Sequence, residues 1–148
     1  MSILSNFVRG FNADRWYKLY TKAQRSNGLL KNFYTAAYMK MASNNGGYIG
    51  RETILDGPLI LPHGFHGIHI SRDCHIGQNV TIYQNVTIGA GNGGAHIIGN
   101  NVLIGAGAIL VGGGKIGDNV KIGAGAIVIG DIPSNCTVVS EKSKIIKR

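Results

Sequence analysis

Histidines that lie in two short insertions are the residues of this chain best suited to do chemistry. Three of the five histidines fall there: the first insertion contains Pro62-His63-Gly64-Phe65-His66-Gly67, and the second contains Ala90-Gly91-Asn92-Gly93-Gly94-Ala95-His96. A neutral imidazole near pH 7 can take a proton from an alcohol. The chain has no Gly-x-Ser-x-Gly segment and no cysteine in a catalytic-looking setting. We therefore expect direct attack by a substrate hydroxyl that a histidine deprotonates.

The insertions interrupt a six-residue repeat, which must position them. Aliphatic residues recur at every sixth position in two series: Ile70, Ile76, Ile82 and Ile88, then Ile98, Ile104, Leu110, Ile116, Ile122 and Val128. Glycine usually stands directly after each aliphatic residue, and a small or β-branched residue stands four positions after it. This pattern is typical of a hexapeptide β-helix, in which three repeats close one triangular coil of about eighteen residues. It predicts an all-β domain, a left-handed parallel β-helix, over residues 49–133.

The places where the repeat is broken predict an assembly. Ile60 and Ile70 are ten residues apart, as are Ile88 and Ile98, and each interval is four residues longer than a repeat. Counting faces places the two insertions at successive corners of the prism, about one coil apart. A homotrimer of parallel prisms would set one subunit's first insertion against a neighbour's second, with active sites between subunits.

The two ends of the chain do not follow the repeat. Residues 13–43 have a helical apolar pattern with a break at 26–28, and they predict a short helical cap and linker over residues 1–48. Two apolar stripes should face the first coil: Trp16, Leu19, Tyr20 and Ala23, then Leu30, Phe33, Tyr34, Ala37 and Met41. Pro133 ends the repeat, and we expect a basic tail over residues 134–148.

The net charge of +8 is concentrated at these ends, since residues 1–48 hold seven basic residues and one acidic residue. A solvated basic face, attraction to a phosphorylated ligand and peripheral contact with an anionic membrane all remain open. No nucleic-acid partner is expected, because no nucleic-acid motif is present. The chain has no long apolar run and no signal-peptide core. With only two cysteines, it is expected to be cytoplasmic, with the inner face of the membrane as an alternative.

Several segments together resemble a known family. They are Leu61-Pro62-His63, Gly67-Ile68-His69-Ile70-Ser71, residues 75–89 (HIGQNVTIYQNVTIG) and residues 97–108 (IIGNNVLIGAGA). Across about residues 54–133 the chain resembles the serine acetyltransferase family. It is most similar to the branch found in capsular and exopolysaccharide gene sets, whose members acetylate sugar hydroxyls.

The resemblance implies acetyl-coenzyme A (acetyl-CoA) as co-substrate, an alcohol as acceptor and a trimer with intersubunit sites. His63 matches the family's catalytic base, and His96 lies one residue out of register with its second active-site histidine. The implied cofactor contacts are Gly89, Ala90, Ala106 and Ala124, with Lys142, Lys144 and Lys147 near the phosphates. Amides near Gly89 and Ala90 would hold the oxyanion. We assign acceptor binding to Phe65 and His66.

The chain departs from the family at Pro62, where serine acetyltransferases carry an aspartate that helps engage serine and the histidine. The expected acceptor is therefore a sugar hydroxyl in surface polysaccharide synthesis, with serine and an amino-sugar nitrogen as alternatives. Asp56 or a backbone carbonyl would orient His63. A non-enzymatic β-helix is a further alternative. No metal is expected. His63, His66 and His69 are spaced by three, but β-helix carbonic anhydrases carry two histidines with four residues between them, and this chain has no such pair.

Overall fold

The computed structural model describes residues 12–141 and residue 146. Two helices precede thirteen short strands. The helices are α1 (Ala13–Arg25) and α2 (Gly28–Ser43). The strands are β1 (Tyr48–Ile49), β2 (Ile54–Leu55), β3 (His69–Ile70), β4 (His75–Ile76), β5 (Thr81–Ile82), β6 (Thr87–Ile88), β7 (His96–Ile98), β8 (Leu103–Ile104), β9 (Ile109–Val111), β10 (Gly114–Ile116), β11 (Lys121–Ile122), β12 (Ile127–Ile129) and β13 (Thr137–Val138).

Three parallel sheets form the faces of a prism. Face A has the order β1-β3-β6-β9-β12, face B has the order β2-β4-β7-β10, and face C has the order β5-β8-β11-β13. Successive strands of each face come from successive coils, so the chain climbs one strand spacing per turn. The predicted parallel β-helix with a helical cap is confirmed.

The inward side chains stack in register along the prism axis. On face A the stack contains Ile49, Ile70, Ile88, Leu110 and Val128, each at most 2% exposed. Faces B and C contribute equivalent stacks, and Cys74 is buried beside them, as the repeat predicts. Burying one such side chain stabilises the fold by about 1.5–3 kcal/mol.

The phase predicted before the first insertion is wrong by one residue. Ile60 is 42% exposed and pairs with the outward Thr81, whereas Leu61 is only 6% exposed and stands level with the inward Ile82. The inward positions are therefore 49, 55 and 61, and the first insertion adds three residues instead of four. The run Leu59-Ile60-Leu61 is aliphatic throughout, so its hydrophobicity did not distinguish inward from outward positions.

The β-helix also extends further than predicted. β13 pairs in parallel with β11, with Lys121 level with Thr137. Asn135 has a φ of 61° and repeats the corner geometry of the coils below. Because Pro133 lies at a corner, its missing N–H does not interrupt a strand. Residues 134–138 therefore belong to the last coil and not to a tail.

Stacked asparagines form the corner between faces B and C, which we call the B/C corner. They are Asn79, Asn101, Asn119 and Asn135, all with φ between 55° and 61°. The side-chain amide of each of the first three donates to the side-chain oxygen of the next asparagine along the axis, over 3.2, 3.2 and 3.0 Å. Asparagine tolerates this left-handed backbone better than most residues, so one residue type supplies both the turn and the bond between coils.

The helical hairpin covers the first coil through aromatic residues. Trp16, Tyr20 and Ala23 of α1 are buried, as predicted. The Tyr20 hydroxyl donates to the Thr53 carbonyl oxygen (3.1 Å) and accepts from the Leu55 N–H (2.9 Å).

The buried face predicted for α2 is confirmed only in part, because Tyr34 and Met41 are half-buried and pack against the core. Its buried residues are Thr35, Tyr38 and Ala42, whereas Leu30 and Phe33 are 57% and 65% exposed. The Tyr38 carbonyl accepts from the Trp16 indole N–H (3.0 Å), and the Tyr38 hydroxyl donates to the Arg51 carbonyl oxygen (3.3 Å). The Tyr38 hydroxyl thus satisfies a backbone carbonyl of the first coil, for which a leucine or phenylalanine side chain has no donor.

Replacing Asn101 tests the asparagine ladder. Asn101→Ala should lower the free energy of unfolding by about 1–3 kcal/mol, because alanine is strained at positive φ and both side-chain bonds are lost. Asn101→Gly loses the same bonds without the strain and should cost less. Urea unfolding of the two variants measures the difference, and equal losses would show that backbone conformation at this corner contributes nothing.

Candidate active site

The corner between face C and the following face A, which we call the C/A column, brings together residues that are distant in sequence. The Asn85 N–H donates to the His66 carbonyl oxygen (2.9 Å), the Gly107 N–H to that of Gln84 (3.0 Å), and the Gly125 N–H to that of Ala106 (2.9 Å). The first insertion and the corners of the next three coils are thus stacked along the axis. His63, Ala106 and Ala124 lie on this one edge.

Beyond the corner that holds Tyr83, Gln84 and Asn85, the C/A column presents a strip without long side chains, at residues 105–108 and 123–126. Ala106 is half-buried and Ala124 is exposed. Gly107 and Gly125 have φ values of 69° and 68°, and no atom lies within 4 Å of where a Cβ would stand. At the far end, the Ser140 hydroxyl donates to the Ala124 carbonyl oxygen (3.3 Å). A narrow, extended ligand therefore has room to lie along this strip.

His63 is exposed at the first-insertion end of the column. Its ring centroid lies 5.9 Å from that of Tyr83, with the rings inclined at 48°. The sequence prediction missed Tyr83, although it directly follows the inward Ile82 and counting along the repeat would have placed it here. Within residues 12–141, no hydrogen bond orients the His63 ring. The prediction that Asp56 orients His63 is wrong, because the Asp56 carboxylate lies 2.8 Å from His75 Nε2 on face B.

The first insertion is held by the core and not only by its neighbours in the chain. Phe65 is fully buried, with its ring centroid 4.9 Å from that of Trp16. The predicted role of Phe65 in acceptor binding is therefore wrong, because the side chain is used to fix the loop beneath α1. His66 is exposed on the same loop and stays a prediction as an acceptor contact.

The second insertion lies at the corner between faces A and B, which we call the A/B corner. Gly91 and Gly94 exchange backbone hydrogen bonds of 2.9 and 2.8 Å, and the Gly93 N–H donates to the Gly112 carbonyl oxygen (3.2 Å). The Gly89 N–H donates to the Leu110 carbonyl oxygen (2.8 Å), so the predicted oxyanion contact from Gly89 is wrong. Ala90 is exposed, and its N–H forms no hydrogen bond to any described residue, so this amide stays available.

His96 lies inside the prism, contrary to its predicted catalytic role. It is 0% exposed, because His96 and Ile98 point inward on β7 while Ile97 points outward. Neither ring nitrogen makes a hydrogen bond of normal geometry within the described residues. Burial lowers the pKa of His96 below the usual histidine value, and the backbone groups of Gly114 and Leu110 partly oppose this shift. A side chain in this position does not reach a substrate at the surface.

Two further predictions concern charged residues and metal ligands. Lys142 and Lys144, and with them Lys147, lie outside the described residues. Among residues 12–141 and residue 146, no three His, Cys, Asp or Glu side chains are placed to hold a metal ion.

Comparisons with known proteins agree on one kind of relative. Residues 96–130 match the family described as hexapeptide repeat of succinyl-transferase. The serine acetyltransferase of Staphylococcus xylosus is 38% identical over 136 residues, which cover 89% of this chain and 60% of that protein. This chain therefore spans about 60% of the length of this curated relative.

Solved structures give the same result. Entamoeba histolytica serine acetyltransferase isoform 3, in complex with cysteine, matches with a TM-score of 0.78 and 30% identity over the whole chain and 55% of that protein. Neisseria gonorrhoeae serine acetyltransferase, in complex with serine, matches with a TM-score of 0.63 and 30% identity over 88% of this chain and 52% of that one.

The buried His96 should make stability depend on pH. Its native pKa lies below that of the unfolded chain, about 6.5, so below that pH the unfolded state binds a proton that the native state does not. The stabilising contribution is present above the unfolded pKa and is lost as pH falls, by up to about 1.4 kcal/mol per pH unit. Urea unfolding between about pH 7.5 and 5 should therefore show a shallower pH dependence for His96→Leu than for the parent.

The exposed His69→Gln variant is the matched control, and its pH dependence should follow the parent. If His96→Leu also follows the parent, protonation of His96 does not affect folding.

Proposed function

We propose that this hexapeptide-repeat β-helix, a homologue of serine acetyltransferases, transfers an acetyl group from acetyl-CoA to a hydroxyl group. The observation that carries the proposal is the C/A column, where an exposed histidine stands at the first-insertion end and the last two corners, residues 105–108 and 123–126, hold only glycine and alanine. The sequence relationship supports the transferred group, and the column supports the placement of the reactants.

The strip suits the narrow pantetheine arm of acetyl-CoA. Nothing longer than a methyl group projects from Ala106-Gly107 or Ala124-Gly125, so an extended chain can approach the backbone closely. The Ser140 bond to Ala124 marks where the chain leaves the prism. Lys142 and Lys144 follow two and four residues later, and we assign them to the phosphates of the co-substrate.

The proposed reaction is a single displacement with His63 as the proton carrier. His63 accepts the proton of the acceptor hydroxyl while the hydroxyl oxygen forms a bond to the thioester carbonyl carbon. The carbon–sulfur bond then breaks, and His63 returns the proton to the leaving thiolate, which gives an acetyl ester and a free thiol. The free amide of Ala90 is suited to hold the carbonyl oxygen while it bears negative charge.

The site requires a second copy of the chain, since His63 and Ala90 belong to different corners of one prism. We propose a homotrimer in which the C/A column of one subunit faces the A/B corner of its neighbour. Holding both substrates in that cleft would supply a large share of the rate.

Serine is the first candidate acceptor, because the relatives are named for it and one solved relative is in complex with it. A sugar hydroxyl, as in capsular or exopolysaccharide synthesis, is the second. The sugar hydroxyl is favoured by Pro62, which stands before His63 where serine acetyltransferases carry an aspartate, and by the engagement of Asp56 with His75.

Removing the imidazole tests the catalytic step. His63→Ala should lower the turnover number by a factor on the order of 10² to 10⁴, measured as thiol release from acetyl-CoA with serine, hydroxyl sugars or amino sugars as acceptor. His75→Gln, at a half-buried histidine on face B, is the control and should keep the parent rate. Parent-like activity of His63→Ala would remove His63 as the base, and parent activity with sugars alone would exclude serine.

Mixed trimers test the shared site. His63→Ala and Ala90→Trp subunits should each be inactive alone, because the first lacks the base and the second fills the cleft. In any trimer that contains both types, one interface pairs the intact His63 of an Ala90→Trp subunit with the intact Ala90 loop of a His63→Ala subunit. Co-expression should therefore restore activity to an appreciable fraction of the parent's. No recovery in mixed trimers, verified by native mass spectrometry, would place both residues in one subunit's site.

A further inference from the structure

The turn between the two helices carries a group of exposed apolar side chains. Leu29, Leu30 and Phe33 lie on the first turns of α2 and are 88%, 57% and 65% exposed. Large apolar side chains grouped on a surface usually mark a contact with a partner. We call this surface, together with the cations described next, the hairpin tip.

Cations flank these apolar residues. Lys22 and Arg25 lie in the last turn of α1. Lys31 is half-buried one turn before the buried Thr35 and lines a pocket with Arg51 and Glu52, so its charge lies on the side of the hairpin that faces the first coil. Lys22 Nζ is 5.5 Å from the centroid of the Tyr34 ring, so an aromatic ring of α2 holds this cation at the tip. The only acidic residue between 12 and 48 is Asp14, which lies at the opposite end of α1.

The hairpin is attached firmly by its other face. Trp16, Tyr20 and Tyr38 contact one another, and the Tyr20 and Tyr38 hydroxyls donate to backbone carbonyl oxygens of the first coil, so the orientation of the tip relative to the prism is fixed. No described helix is both long enough and apolar enough to cross a bilayer. Any membrane contact made by the described residues is therefore at the surface.

The combination of apolar side chains and flanking cations fits an anionic bilayer surface. Leucine and phenylalanine gain by entering the boundary between headgroups and acyl chains, while nearby lysines and arginines are attracted to lipid phosphates. A soluble polyanion would be bound by the cations but would leave the three apolar side chains in water. A bilayer accounts for both features.

We propose that the hairpin tip docks this protein on anionic membranes, with Leu29, Leu30 and Phe33 at the acyl boundary and Lys22 and Arg25 among the phosphates. This inference does not depend on acetyl transfer, and its test measures lipid binding alone. Docking in this way would hold the catalytic prism beside substrates that are attached to lipid.

Vesicle binding by the full chain tests the proposal. The parent should sediment with vesicles of phosphatidylcholine and phosphatidylglycerol in equal amounts, but not with phosphatidylcholine alone. Lys22→Gln/Arg25→Gln and Leu29→Ser/Leu30→Ser should each weaken binding on the order of tenfold. Lys115→Gln/Lys121→Gln removes the same charge from exposed positions on faces B and C and should change binding by less than about twofold. Circular dichroism and native mass spectrometry verify that each variant is folded and assembled.

Three outcomes would overturn the proposal. Absence of parent binding to the anionic vesicles would exclude membrane docking. Equal weakening by the two charge variants would show that only net charge matters and that the tip is not a specific surface. If Leu29→Ser/Leu30→Ser kept vesicle binding but lost concentration-dependent association in sedimentation velocity, the tip would be a contact between copies of the chain.

Discussion

Axial stacking of inward side chains is the constraint on which the rest of this structure depends. A single coil is too thin to enclose its own apolar residues, so each one buries them against the coils above and below. Ile49, Ile70, Ile88, Leu110 and Val128 show the result on face A, where every member is level with the next. Because the coils are held in register, the corner residues are also aligned, and each corner becomes a column with its own composition.

The three corners have different roles because their residues have different properties. The B/C corner is joined by asparagine side chains and leaves little room for change. The C/A column instead uses glycine at positive φ, as at Gly107 and Gly125, and thereby keeps its surface open. The A/B corner carries the glycine-rich second insertion, whose backbone bonds to Gly112 of the next coil. Rigidity at one corner and open surface at the others come from the choice of residue at equivalent positions.

The sequence predicted features that follow from periodicity and missed features that depend on contacts across the molecule. The β-helix follows from counting, because one repeat advances the chain by one face, whereas Ala106 and Ala124 were implied only by the family resemblance. Phe65 was misplaced because an insertion has no period from which the direction of a side chain can be read. His96 was misplaced because it was assigned to the insertion, although it lies on β7 two residues before the inward Ile98. In α2, apolar spacing pointed to Leu30 and Phe33, but the face that packs on the first coil carries Tyr38, whose hydroxyl donates to the Arg51 carbonyl oxygen. Only the folded chain shows this contact.

The stacking of the coils also fixes distances along the axis of the prism. Neighbouring strands of a sheet are about 4.8 Å apart, so positions along the C/A column can differ only in whole multiples of that step. The separation between the histidine loop and the point where Ser140 meets Ala124 is therefore set by the number of coils and not by loop conformation. Lineages of such proteins can lengthen or shorten the binding strip by gaining or losing a complete coil, whereas finer adjustment has to come from the insertions.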